Sequence, residues 1–376
     1  MNMEEKNMAI TTNRRDYSLT GAESRMAKEK GLTAAEWYAT PIPRQRMKEL
    51  MKRKDGPAIR DTLIWFISLI GLGILAYHSW GTWWAIPAFF LYGTVYALPG
   101  NSRWHECGHG TAFKTQWMNE TLYQIASFMC LFPATAWRWS HSRHHTDTII
   151  VGHDPEIVAE RPAIWRILLL ETFRLYGGTR DLKRVFLHCF GKMDKEEEGY
   201  IPSSERGKVF WEARVWVFIF LVVIASCVYM QSILPAMFIV LPTFYGFIGV
   251  LITGFTQHLG LNEDVLDHRL NTRTIYMNPV LRFLYWNMNY HLEHHMFPMV
   301  PYHALPALHE ELKPDCPTAN PSTWSAIKEI FAALKKQKTD PTFTIVRPLP
   351  STARPYNYGP HPYGTVAANV NALQEA

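Results

Sequence analysis

Residues 83–109 read WWAIPAFFLYGTVYALPGNSRWHECGH. The stretch 83–98 is uncharged and apolar, and its length approaches what a helix needs to cross a bilayer. Two histidines four apart, His105 and His109, follow it directly. Residues four apart share one face of a helix, so a span that ends in this way aims two imidazoles together at its end.

The reading extends outward on both sides. Residues 62–78 form a second apolar run, separated from the first by residues 79–82, which predicts a tight helical hairpin. Residues 211–230 and 234–255, joined by 231–233, predict another. Tryptophan and tyrosine crowd the edges of these runs, as in an interfacial belt. No Lys or Arg lies between Arg60 and Arg103, or between Arg214 and Arg269. Basic residues are plentiful in the tails and in residues 114–208. The positive-inside rule then puts both termini and the central segment in the cytoplasm. The expected fold is an all-α integral membrane protein, with four transmembrane helices in two hairpins.

The organisation follows. Residues 1–57 are a cytoplasmic N-terminal tail, in which 32–50 read as an amphipathic surface helix. Residues 58–312 are the membrane domain, and 313–376 a Pro-rich, loosely ordered cytoplasmic C-terminal tail. Residues 122–133 and 164–176 are too short or too charged to span, and read as interfacial or re-entrant helices. The net charge of +5 is modest, and nothing in the chain calls for nucleic acid. Five cysteines without a C-x-x-C pair fit a reducing compartment.

Eight of the 16 histidines fall in three boxes: His105 and His109; His141, His144 and His145; His291, His294 and His295. All three lie on the same predicted side of the membrane. His258, ending the fourth run, lies at the depth of His105. Eight or nine imidazoles exceed the three or four ligands of a zinc site. They suit a two-metal centre, and a nitrogen-rich redox pair suits iron. Glu106, Asp147, Asp154 and Glu293 stand in or just after the boxes, as candidates to orient the ligating rings. His78, His153, His188, His268, His303, His309 and His361 have no box partner and read as structural.

The runs RWHECGHG, WSHSRHHT and NYHLEHHMFP resemble the three histidine boxes of the membrane fatty acid desaturase and alkane hydroxylase superfamily. The resemblance covers about residues 60–312. It implies a cytoplasmic helical cap carrying a di-iron site above a substrate channel, in a bacterial inner membrane. His105, His109, His141, His144, His145, His291, His294 and His295 become iron ligands, with His258 as the ninth. The implied reaction is O2-dependent oxidation of unactivated C–H bonds in a fatty acid or acyl lipid, at two non-haem irons.

The boxes leave the outcome open between desaturation, hydroxylation of an alkane or small molecule (the second box also resembles a rhizopine-catabolism subgroup) and oxidative decarboxylation to a terminal alkene. A non-oxygenase membrane metalloprotein and a zinc hydrolase are readings of a different class. No dinucleotide-binding glycine motif or iron–sulfur cysteine spacing occurs, so electrons must come from an external ferredoxin or cytochrome with an NAD(P)H reductase. Arg174, Arg180, Lys183 and Arg184 are the candidate dock for that donor.

Overall fold

The computed structural model describes residues 15–359, which are helical with no β-strand; only two isolated bridges pair extended backbone. The first predicted hairpin is present as helices Asp55–Ser79 and Ala85–Gly108. The first of these is apolar on nearly every side, and Leu63, Ile67, Ile70 and Ile74 are exposed. So much outward aliphatic surface on a long helix fits contact with lipid, not water. Helix Arg206–Tyr229 has the same character, with Phe218, Leu221, Ile224 and Val228 exposed. These two helices, the first counted from Arg44 and the second from Ser203, are long and apolar enough to cross a membrane.

Ala85–Gly108 is instead a mostly buried central post. Residues from Tyr96 to Cys107 are buried almost without interruption. It packs against Asp55–Ser79, Gln116–Cys130 and the segment around residue 245. The last contact depends on two glycines. A Cβ on Gly246 would fall 2.0 Å from the carbonyl carbon of Gly93, so neither position has room for a side chain.

The fourth predicted run differs from expectation. It is broken into Leu234–Ile239, Pro242–Tyr245 and Ile248–His258. Pro235 and Pro242 supply no amide hydrogen and start their segments. Carbonyls freed by the breaks are satisfied by tyrosines: Tyr92 donates to Phe238, Tyr96 to Ile239 and Tyr245 to Met237, at 2.9, 2.7 and 2.7 Å. Irregular backbone at membrane depth persists where protein groups satisfy it in this way.

Both tails also depart from the sequence reading. Residues 32–50 are not one helix; Pro41 and Pro43 hold the chain extended until Arg44–Leu50. The segment beyond residue 313 is ordered as far as the described residues reach. Helix Thr323–Gln337, capped by Ser322, packs on Ile248–His258. Arg269 then fixes the extended stretch by pairing with Asp267 and Asp315 and donating to the carbonyls of Arg354 and Pro355. A buried guanidinium needs such a full set of acceptors, and the tail supplies all of these residues but Asp267. Of residues 122–133, 122–130 fall in the amphipathic helix Gln116–Cys130, and 164–176 contain helix Trp165–Glu171.

Candidate metal centre

Four helices bring the nine histidines together. His105 sits near the end of Ala85–Gly108, with His109 as its C-cap. His141, His144 and His145 lie on Ala134–Thr146. His258 ends Ile248–His258, and His291, His294 and His295 lie on His291–Met296.

The rings sort into two groups. In the first, His105, His109, His141, His145 and His294 each offer a nitrogen within 4.8 Å of the others. In the second, His144, His258, His291 and His295 do the same. The helical period accounts for the pairs one turn apart, and the meeting of the four helices for the crossovers. His141 and His145, one turn apart, go to one group, while His144 turns to the other. The third box divides in the opposite sense: His291 and His295 stay together and His294 crosses over. The groups touch where His145 stacks on His295, at 4.3 Å between centroids.

The outer nitrogens decide how the inner ones are presented. His144 Nδ1 lies 2.8 Å from Asp154, His141 Nδ1 2.9 Å from Glu156, and His258 Nδ1 2.8 Å from the carbonyl of Asn271. Carboxylates and carbonyls only accept, so each Nδ1 carries the hydrogen. In the neutral ring Nε2 then carries the lone pair and faces inward. There it meets other imidazoles. The Nε2 atoms of His141 and His145 are 3.2 Å apart, those of His294 and His145 3.2 Å, and those of His291 lie 3.1 Å from both His258 and His295. Both nitrogens of His105 and Nε2 of His109 are buried without a hydrogen-bond partner.

Burial, together with neighbouring imidazoles, holds His105, His109, His145, His258, His291, His294 and His295 well below the usual histidine range. These rings are therefore neutral at ordinary pH. His144 is the exception: burial would lower it, but the charge and hydrogen bond of Asp154 raise it. Converging lone pairs on neutral, buried, otherwise unsatisfied imidazoles are costly without a cation between them. The donor set fits two transition-metal ions.

The carboxylates divide. Asp154 holds His144, and it also accepts the amides of Ile149 and Glu156. Glu106 accepts from Tyr302 and Thr111, with its other oxygen 3.7 Å from His294 Nδ1. Burial pushes its carboxyl up to about 8, against the lowering effect of those two bonds. Glu293 turns to Thr274 and His309, and Asp147 to Arg143; neither contacts a cluster nitrogen. The sequence reading missed Glu156, although it stands two residues after Asp154 in the same loop. It also missed Thr148, whose hydroxyl meets His295 Nδ1, because a lone threonine carries no signal. His153 bonds Ser24 and Arg143, and His188 bonds Glu197, both away from the clusters. His361 lies outside the described residues.

A cavity of about 300 Å³ opens beside the centre. His105, His141, His144, His258 and His291 line it, and Phe132, Trp137, Phe247, Leu251 and Phe255 give it apolar walls. A larger recess, of about 1010 Å³ between Arg138, Lys208 and Trp211, reaches none of the nine histidines.

The fatty acid desaturase profile matches residues 79–326, which hold every one of these groups. The chain belongs to the fatty acid desaturase family. It is similar to a Delta(8)-fatty-acid desaturase of Euglena gracilis, 24% identical over 67% of this chain and 66% of that protein. A Delta(12) fatty acid desaturase of Calendula officinalis is 34% identical over 22% of the chain and 20% of its own length. An sn-1 acyl-lipid omega-3 desaturase (ferredoxin) of Nostoc is 28% identical over 26% and 28%. The matches thus span from about a fifth to just under two thirds of these relatives' lengths.

The basic dock expected at Arg174, Arg180, Lys183 and Arg184 is not a continuous charged surface. Arg174 is buried, paired with Asp181 at 2.8 Å and packed over Phe132 and Phe247. Arg184 lies within 4 Å of Asp181, Asp194 and Glu197. Arg174 precedes helix Gly177–Cys189 and packs inward, and Arg184 on that helix is engaged by carboxylates, which takes half of the proposed patch out of play.

Proposed function

We propose that the chain is an O2-dependent fatty acid desaturase whose nine clustered histidines hold two irons. The observation that carries this reading is that both imidazole groups reach a cavity walled in part by apolar side chains. Iron bound there would supply the oxidising power to remove hydrogen from an unactivated methylene. The protein's own part is to orient the rings, with Asp154, Glu156 and the Asn271 carbonyl holding His144, His141 and His258. The walls from Phe132 to Phe255 exclude water and align an acyl chain against the five histidines that reach the cavity. The overall change converts –CH2–CH2– and O2, with two electrons and two protons, into –CH=CH– and two waters. The electrons come from a separate ferredoxin-type or cytochrome-type protein and its reductase. Hydroxylation and decarboxylation share the first hydrogen removal, but the named relatives are desaturases. Metal analysis of purified protein is expected to find iron, about two atoms per chain for the two groups, without haem. Lipid mass spectrometry of cells with and without the chain is expected to show new acyl double bonds. Stoichiometric zinc, or no acyl change, would sink the reading.

In this reading the chain crosses the bilayer four times, with both termini and the metal centre in the cytoplasm. A reporter near Gly81 is expected to read external, and one after Lys192 cytoplasmic. An external signal after Lys192 would refute the topology.

The cavity makes a further expectation. Gly254 lines it, and nothing lies within 4 Å of where its Cβ would be. Gly254→Leu therefore adds volume to the channel without a clash at the backbone, and improves helix propensity by about 1 kcal/mol. Turnover of the longest acyl chain accepted is expected to fall about tenfold or more, with folding and iron content kept. Unchanged chain-length preference would show that the acyl chain lies elsewhere.

A further inference from the structure

One buried histidine outside the boxes is unexplained by the centre. His268 has a buried Nδ1 without a hydrogen-bond partner. Its ring lies flat against Trp37, at 4.3 Å between centroids and 7° between planes. On its inner side it stands 5.3 Å from His295. Trp37 is half-buried at the surface, and its indole N–H donates to the carbonyl of Thr146, at the end of the helix carrying the second box. Asp267 caps the short His268–Asn271 helix, and Arg269 clamps Asp267, so the ring is held between two fixed neighbours. Three aromatic rings thus run from the surface to the metal centre at stacking separations. The acyl cavity touches His105, His141, His144, His258 and His291, but not His295.

We propose that Trp37 and His268 form the relay by which a one-electron carrier protein delivers electrons to the centre at His295. The inference rests on the desaturase reading above. That reaction consumes two electrons per O2, and a ferredoxin-type donor supplies them one at a time. Each passes from the reduced carrier through Trp37 and His268, so the carrier is oxidised and the centre reduced. The overlapping Trp37 and His268 rings couple better than saturated side chains would, and His268 then stands 5.3 Å from His295, tilted by 48°. Delivery at a ring that does not line the cavity keeps the electron path apart from the lipid substrate. Neither residue binds substrate or metal; they are positioning residues for the electron path.

The test uses the full iron-loaded chain in detergent, without O2 or substrate. Reduction of the centre is followed by stopped flow, with reduced plant-type ferredoxin or with dithionite. Trp37→Leu is expected to slow reduction by ferredoxin about tenfold or more. Iron content and dithionite reduction should stay at wild-type values. Trp37→Phe, which keeps a stacked ring, should retain most of the rate. His268→Leu should slow the ferredoxin reaction while the metal-free protein binds ferredoxin with unchanged affinity. Equal ferredoxin rates in Trp37→Leu and wild type would overturn the relay, and so would Trp37→Phe as slow as Trp37→Leu. Iron loss in Trp37→Leu with both reductants slowed equally would also overturn it, because Trp37 would then only support the fold. A wild-type centre that neither reductant reduces would overturn the desaturase reading itself, and the relay with it.

Discussion

His144→Ala and His294→Ala are each expected to abolish turnover, a loss on the order of a thousandfold or more, and to lower the bound iron. Each removes one imidazole from a different group. His144 also pairs with buried Asp154, which would be left with the amides of Ile149 and Glu156 alone. His258→Ala is expected to match them, because its Nδ1 bond to the Asn271 carbonyl aims Nε2 at His291. Asp154→Asn leaves the ring but removes the charge behind it, so a smaller loss of iron affinity, about 10–100-fold, is expected. His78→Ala, at the exposed hairpin tip, is the control and should retain full activity. Metal analysis beside turnover checks the series. Full activity in His258→Ala would remove it from the centre.

How far such a centre can be read from sequence depends on the range of the signal. The boxes are local: helical spacing alone predicts that His105 and His109, or His141 and His145, share a face. Spacing does not say that His144 and His294 cross between groups, because that depends on how the four helices meet. His258 was legible because it ends an apolar run at the depth of His105. Glu156 and the Asn271 carbonyl were not, since a loop carboxylate and a backbone oxygen look like any other until the fold aims them. Of the four carboxylates chosen by proximity in sequence, Asp154 bonds a cluster ring and Glu106 lies close to one. Glu293 and Asp147 point elsewhere, to His309 and Arg143. Helix-period side-chain direction decides this, and adjacency in sequence does not.

The same contrast holds for the fold. Hairpin turns at 79–82 and 231–233 were set by long apolar runs on both sides, and helices begin and end there. Hydropathy reads composition over a window, so it could not register the breaks at 240–241, before Pro242, and at 246–247. The three tyrosine hydroxyls that make those breaks tolerable come partly from a distant helix. The ordered tail after residue 313 was hidden for a related reason. Its order comes from long-range partners of Arg269, not from local propensity.

Purified iron-loaded protein supplied with NAD(P)H alone is expected to be inactive, and a ferredoxin with its reductase to switch turnover on. A nicotinamide delivers a hydride, two electrons together, and needs a binding crevice beside a redox group. The chain has no glycine-rich strand–helix turn for the pyrophosphate, and the described residues form no sheet on which to mount one. Its five cysteines are free and scattered, without the spacing of an iron–sulfur cluster. In the proposed reading, electrons arrive from another protein, one at a time, at a surface leading to the buried imidazoles. Omitting the ferredoxin should return turnover to background, a change larger than any single substitution outside the centre could produce. Double-bond formation is measured by mass spectrometry of the acyl product, with the reductase, the ferredoxin and both together as separate arms. Full activity from NAD(P)H with neither protein present would show that this chain has its own route for hydride electrons.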